Sequence, residues 1–219
     1  MQEERLAARG HRAGEPFADA NPNPGANTSV NQDAPAAAPD LFAAFGLADP
    51  LLGAVRDLGF TTPTPVQAKT IPLAMAPQVQ GKAFIDLMVS SQTGSGKTAA
   101  YLLPLLHTLH VDELERDEQA RLERERLIAA GQKPPKRHSP MHARHFKPAT
   151  PGALVLCPTR ELAQQVANDA IDLVRYVRGV RIASVIGGLP YRMQIERLQN
   201  ASLVVATPGR LLDLQRNGQ

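Results

Sequence analysis

Eight consecutive residues, Ser91-Gln92-Thr93-Gly94-Ser95-Gly96-Lys97-Thr98, carry the densest chemistry in this chain. Gly94 and Gly96 let backbone N–H groups approach an anion with no Cβ in the way. Lys97 adds a positive charge and Thr98 a hydroxyl that can ligate a cation. The apolar run Phe84-Ile85-Asp86-Leu87-Met88-Val89 precedes the loop and reads as a strand. Ala99, Ala100, Tyr101, Leu102, Leu103, Leu105 and Leu106 follow it and read as a buried helix. Strand, glycine loop and helix with Lys-Thr at the junction is the arrangement that cradles phosphates. The helix start contributes unpaired donors and a positive dipole end. Lys97 would neutralise β/γ-phosphate charge there, and Thr98 would hold Mg²⁺. One position departs from the GxxxxGK[ST] pattern, because Ser91 stands where glycine is expected. A glycine turn that binds nothing is the plainer alternative.

A second polar constellation lies upstream, in Gly59-Phe60-Thr61-Thr62-Pro63-Thr64-Pro65-Val66-Gln67. Thr64-x-x-Gln67 with Pro65 between them is a capping box at a helix start. The Gln67 amide is also the group that pairs with the N7 and amino edge of adenine. Both readings stand on the residues alone. Asp49-Pro50 reads as an N-cap and first turn, with Leu51, Leu52, Val55 and Leu58 as the buried face of that helix, and Gly59 as its end.

Composition bounds the rest. The 219 residues suffice for one domain with additions, and an apolar content of 43% supports a core that must be aliphatic, since Trp is absent. No run of about 18 apolar residues spans a membrane, and the acidic residues Glu3 and Glu4 do not suit a targeting segment. Cys157 is the single cysteine, which excludes an intrachain disulfide framework and fits a reducing cytoplasm. It falls inside an apolar strand, where it reads as a small buried residue. A net charge of +3 permits a nucleic-acid partner without arguing for one.

Along the chain, residues 1–40 are rich in Ala, Pro and Asn without apolar periodicity and are expected to be a disordered tail. Residues 41–219 form the folded part. The helix after Lys97 is expected to reach about His110, and residues 112–130 to form a charge-rich, projecting helix with Asp112/Arg116 and Asp117/Arg121 pairs. Residues 131–150 hold Lys133, Lys136, Arg137, Arg144 and Lys147 with no acid, and four prolines keep them irregular. His138, His142 and His145 have no carboxylate or thiol beside them, so a flexible basic loop is favoured over a metal site. Auxiliary nucleic-acid contact is the functional alternative for that loop.

Three further strands are expected at 153–157, 181–186 and 202–206, each leading to a polar or glycine element and then a helix. The first leads to Pro158-Thr159-Arg160-Glu161, the second to Gly187-Gly188, the third to Thr207-Pro208-Gly209-Arg210. Capping and an ordinary turn explain Thr159, Thr207 and the glycines on physical grounds. Helix N-termini of this kind also bind phosphate.

Taken together these elements resemble the DEAD-box RNA helicases over about residues 42–216. Phe42 with the Gly59–Gln67 stretch is similar to the family's Q motif, and Ser91 to Thr98 is similar to motif I, where Ala or Ser takes the first position. Pro158-Thr159-Arg160-Glu161-Leu162-Ala163 resembles motif Ia, Gly187-Gly188 the GG element, and Thr207-Pro208-Gly209-Arg210 motif Ib. The resemblance implies a RecA-like P-loop fold, an α/β parallel sheet with helices on both faces, incomplete at its C-terminus. It implies that Gln67 reads adenine while Phe42 or Phe60 packs on the base. It assigns ATP with Mg²⁺ to the glycine loop and a single-stranded RNA backbone to Pro158, Thr159, Arg160, Gly187, Gly188, Thr207, Pro208, Gly209 and Arg210. No Asp-Glu-Ala-Asp or Ser-Ala-Thr occurs, and no second RecA-like domain. The expectation is therefore an amino-terminal piece of an ATP-dependent RNA helicase that binds ATP without hydrolysing it. The competing expectation is a self-sufficient, non-catalytic module for adenine nucleotide and RNA.

Overall fold

The computed structural model describes residues 41–76, 86–133 and 150–217. The expected tail (1–40), most of the basic loop with His138, His142 and His145, and Phe84 and Ile85 lie outside the described residues.

Three strands, β1 (Ala153–Leu156), β2 (Ile182–Val185) and β3 (Leu203–Ala206), form a parallel sheet in the order β1-β3-β2. The register sets Leu156 and Val185 on either side of Ala206, so the strands end level at their carboxyl ends. Helix α4 (Arg160–Leu173) crosses from β1 to β2, α5 (Tyr191–Leu198) from β2 to β3, and α6 (Pro208–Arg216) follows β3. Strand alternation divides the apolar side chains. Leu203, Val205, Ala153, Val155 and Ile182 join Phe42, Leu102, Leu106, Val166 and Ala170 in the main core. Val204, Ala206, Ala183 and Val185 pack on the opposite face with Leu214, Leu211, Ile195 and Leu198 of α5 and α6. Helices thus cover both faces of the sheet. The cover stops short of β1, whose Leu154 and Leu156 stay about half exposed although they are in register with buried Val204 and Ala206.

The expected strand at 84–89 is not found in its described part. Residues 86–90 are exposed and unpaired, and Met88 is 100% accessible. The reason is one of partners. An extended segment becomes a strand only by hydrogen-bonding to a neighbour, and the described strands pair only with one another.

Two further readings need correction. Helix α1 (Asp49–Asp57) has Ala48 as its N-cap, so Asp49 is the first helical residue and complements the dipole from inside the first turn. Helix α3 (Lys97–Ala129) is one continuous helix of 33 residues where two were expected. No Gly or Pro stands between His110 and Asp112 to stop it. Its amino-terminal part is buried through His110, and beyond that point Leu114, Leu122 and Ile128 are each more than half exposed. The charge-rich part therefore projects into solvent, as expected, but with different ion pairs. Arg116 reaches Glu113 at 2.9 Å while its Nε donates to the Asp112 carbonyl, and Arg121 pairs with Glu118 at 2.5 Å. Among the described residues no helix is long and apolar enough to cross a membrane.

Candidate functional site

Helix α2 (Pro65–Met75) starts with the expected capping box: Gln67 N–H donates to Thr64 Oγ1 at 3.4 Å, and Thr64 N–H donates to Gln67 Oε1 at 2.9 Å. The remaining end of the Gln67 amide turns across to the glycine loop, where Nε2 donates to the Gly96 carbonyl at 3.2 Å. Gln67 is 5% exposed. One carboxamide thus caps α2 and tethers the start of α3. Gly96 is the N-cap of α3 in left-handed conformation (φ 87°), and a Cβ there would meet Gln67 Nε2 at 2.5 Å. Only glycine satisfies both demands.

The rest of the loop is open. Ser91, Gln92, Thr93 and Gly94 are exposed, and Gly94, at φ +76°, has nothing within 4 Å of a built Cβ. Lys97 folds back on the loop, its Nζ donating to the carbonyls of Ser91 (2.6 Å) and Gln92 (2.5 Å). Ser95 Oγ is buried with no hydrogen-bond partner, and Thr98, the second residue of α3, is half-buried. A polyphosphate with Mg²⁺ fits this donor set. It would take the Lys97 ammonium, give the Ser95 hydroxyl an acceptor, and find the Thr98 hydroxyl and α3 N-terminal amides nearby in sequence.

Of the two aromatics the resemblance offers for the base, Phe42 lies in the core. The short 3₁₀ turn Ala43–Phe45 carries it into the core, where it is 0% exposed and meets Phe45 edge-on at 5.9 Å. Phe60 is the exposed aromatic of the two.

At the carboxyl ends of the strands, the second group of residues comes together. Cys157 N–H donates to the Ala206 carbonyl at 2.9 Å and Thr207 N–H to the Val185 carbonyl at 3.0 Å, holding the three departing segments side by side. Pro158, Thr159 and Arg160 are exposed at the start of α4, where Thr159 Oγ1 accepts from Leu162 N–H and keeps its own proton to donate. Arg160 lies over the glycine pair: a Cβ on Gly187 would sit 3.6 Å from its Cδ, and one on Gly188 (φ +90°) 3.3 Å from a guanidinium nitrogen. Thr207 is the N-cap of α6 but makes no side-chain capping bond, and Pro208 and Gly209 are exposed beside it. Cys157 is buried and its thiol is pushed up by burial, as a packing residue should be.

Arg210 behaves differently from the others. Its guanidinium donates to the Leu189 carbonyl at 2.8 Å, to Asp213 Oδ2 at 3.1 Å and to Gln194 Oε1 at 3.5 Å, and its Cζ lies 3.7 Å from the centre of the Tyr191 ring. The Tyr191 hydroxyl also donates to Asp213, which holds that carboxyl below its ordinary value, with Arg210 adding to the effect. Arg210, which the resemblance assigns to the RNA backbone, is here largely enclosed among intramolecular partners. Gln194, Tyr191 and Asp213 went unnoticed in the sequence. A glutamine at a buried position of an amphipathic helix was the available signal.

The comparisons with known proteins agree on one family. A family profile described as DEAD/DEAH box helicase matches residues 64–219. The ATP-dependent RNA helicase DeaD of Escherichia coli K12 is 38% identical over 178 residues, which are 81% of this chain and 22% of that protein. The chain therefore spans about a fifth of the length of the curated relatives it matches. Among solved structures, a DEAD box protein from Methanococcus jannaschii aligns at 30% identity and TM-score 0.56, covering 81% of this chain and 37% of that one. The RNA helicase Prp28 from Chaetomium thermophilum, bound to ADP, aligns at 33% identity and TM-score 0.54, covering 79% of this chain and 33% of its own. A RecA-like parallel sheet, a glycine loop at a helix start tied to a capping glutamine, and a family match over most of the chain lead to one conclusion: the chain belongs to the DEAD/DEAH box helicase family.

Proposed function

We propose that this chain is the ATP-binding and RNA-backbone-binding portion of an ATP-dependent RNA helicase. The Gln67 carboxamide carries the reading: it joins the α2 capping box to the Gly96 carbonyl, so a group suited to adenine and the phosphate cradle form one unit. Adenine would compete for the same amide atoms, with Phe60 as the accessible aromatic for the base. Lys97 would leave the Ser91 and Gln92 carbonyls for the phosphates, and Thr98 would hold Mg²⁺. Thr159, Arg160, the Gly187-Gly188 turn and the Thr207-Pro208-Gly209 start of α6 would track a sugar-phosphate backbone, positioning a strand without reading its sequence.

The strand ends carry Cys157-Pro158, Ile186-Gly187 and Thr207-Pro208, none of which can orient an attacking water as an acidic pair does. The chain by itself should therefore bind ATP in preference to GTP and not turn it over. Calorimetric titration with both nucleotides and an RNA-stimulated phosphate-release assay test this. Equal affinity for GTP, or turnover at roughly 1 s⁻¹ or faster, would sink the reading.

A further inference from the structure

We propose that Arg210 is a positioning residue that touches no phosphate: with Gln194 it locks the Gly187-Gly188 turn in the shape that presents Arg160 to the strand. The proposal rests on the RNA-backbone reading above.

The argument begins with Gln194, which is 1% exposed in the middle of α5. Its Nε2 donates to the Ile186 carbonyl at 3.1 Å and to the Leu189 carbonyl at 2.9 Å, the carbonyls immediately before and after the two glycines. The amide therefore staples the turn from beneath, using both of its protons. Its oxygen is left to accept, and Arg210 Nε is the donor. That contact sets which way the amide faces, since a flipped Gln194 would oppose oxygen to two carbonyls and nitrogen to a guanidinium. Arg210 also donates directly to the Leu189 carbonyl, so that one oxygen receives both side chains. Asp213 and the Tyr191 ring hold the guanidinium from the other sides, and the Arg210 side chain is 12% exposed. Few of its five donors remain for a ligand.

The turn matters because Arg160 rests on it, with its side chain in van der Waals range of the Gly187 position. A turn that shifts takes with it the surface on which the exposed guanidinium lies. Arg210 thus acts on the RNA face through Leu189 and Gln194, while Arg160 acts through its own charge.

The two roles separate in a salt titration of fluorescent oligouridine binding to the full 219-residue chain. Arg160→Ala should reduce the log–log salt slope by about 0.7, the loss of one phosphate contact on a single strand. Arg210→Lys keeps the charge but cannot fork to three acceptors. It should weaken binding by about tenfold, as for loss of charge-assisted hydrogen bonds, with the slope unchanged. Wild-type affinity in Arg210→Lys, together with a slope reduced by about 0.7 in Arg210→Ala, would make Arg210 a phosphate contact and overturn the proposal. A second measurement needs no RNA. The Gln194 side-chain NH₂ resonances should exchange slowly in the wild type and much faster in Arg210→Lys, and unchanged exchange would equally overturn it. A wild-type chain that fails to bind oligouridine overturns the RNA reading instead, and the exchange experiment then decides the lock by itself.

Discussion

The glycine loop and the glycine turn are both assigned a ligand in the function proposed above, yet they are held in opposite ways. At the turn, Gly187-Gly188 follows a strand paired to β3, and buried Gln194 together with the largely enclosed Arg210 fixes the flanking carbonyls. At the loop, the preceding residues 86–90 are unpaired, Ser91 to Gly94 are exposed, Lys97 folds back on the Ser91 and Gln92 carbonyls, and the Ser95 hydroxyl has no partner. Among the described residues, only Gly96, under Gln67, is gripped from outside the loop. The turn is preorganised, so a strand would meet it without rearrangement. The loop is conditional, because a polyphosphate would replace contacts that the loop now makes to itself. Ordering on binding subtracts from affinity, so nucleotide should stiffen the first region measurably and RNA should barely change the second.

The largest break in this contrast should come from Lys97→Ala. Loss of a charged hydrogen-bonding group costs about 1.5–3 kcal/mol, so ATP affinity should fall by one to two orders of magnitude while the RNA salt slope is untouched; nucleotide and oligouridine titrations of one sample check both. Gly96→Ala comes next. It combines a strained backbone with a Cβ 2.5 Å from Gln67 Nε2, and left-handed geometry alone costs about 1–2 kcal/mol. The thermal midpoint should drop and nucleotide should no longer raise it. A smaller effect separates two threonines that look alike in sequence. Thr64 accepts a capping bond and Thr207 does not, so Thr64→Ala should destabilise by about 1 kcal/mol. Thr207→Ala should leave denaturant unfolding unchanged and weaken only oligouridine binding. Equal destabilisation by the two would erase the distinction between an occupied and a waiting hydroxyl.

The smallest effect is a control at neither site. His107 Nδ1 accepts from Ala48 N–H at 3.1 Å, and burial, with His110 adding to it, lowers the His107 pKa from its ordinary 6.5. The unfolded chain therefore takes up a proton first as pH falls. Stability should be full above about pH 6.5, decline down to the lowered folded value, and then level. His107→Gln keeps an acceptor and should flatten that decline in melts recorded across the range.

How far the sequence carries is visible in these same residues. The Thr64–Gln67 box and the Thr159 cap are local patterns, decided within three or four positions, and both are found. The sheet strands 153–157, 181–186 and 202–206 also emerge within a residue or two, because a short apolar run bounded by polar and glycine residues has few other uses. What escapes depends on partners distant in the chain. Residues 84–89 have the composition of a strand but no neighbour to pair with in the described part. Arg210 finds the Leu189 carbonyl 21 positions away and Gln194 16 positions away, which no spacing rule anticipates. Phe42 matched a motif position, yet the turn after it gives the core the stronger claim. The misassigned pairs on α3 are a milder case, since three- and four-residue spacings are close in energy on an exposed helix.

That long α3 has a mechanical side. Its base is clamped through Leu109 against Gly152 and, at the start of the overhang, Glu113 against Gly179, and the largely exposed part from Asp112 to Ala129 is a cantilever of roughly 27 Å at 1.5 Å per residue. Whatever leaves its tip departs at a fixed distance and on a fixed bearing. That bearing is set by helical phase, and five turns take about 18 residues, which is the length of the overhang. Removing the overhang whole would lower the tip to the body without rotating it. Removing two residues fewer would swing the exit by about 200°, at 100° per residue. Length and direction of this boom can therefore be varied independently, one by whole turns and the other by the remainder.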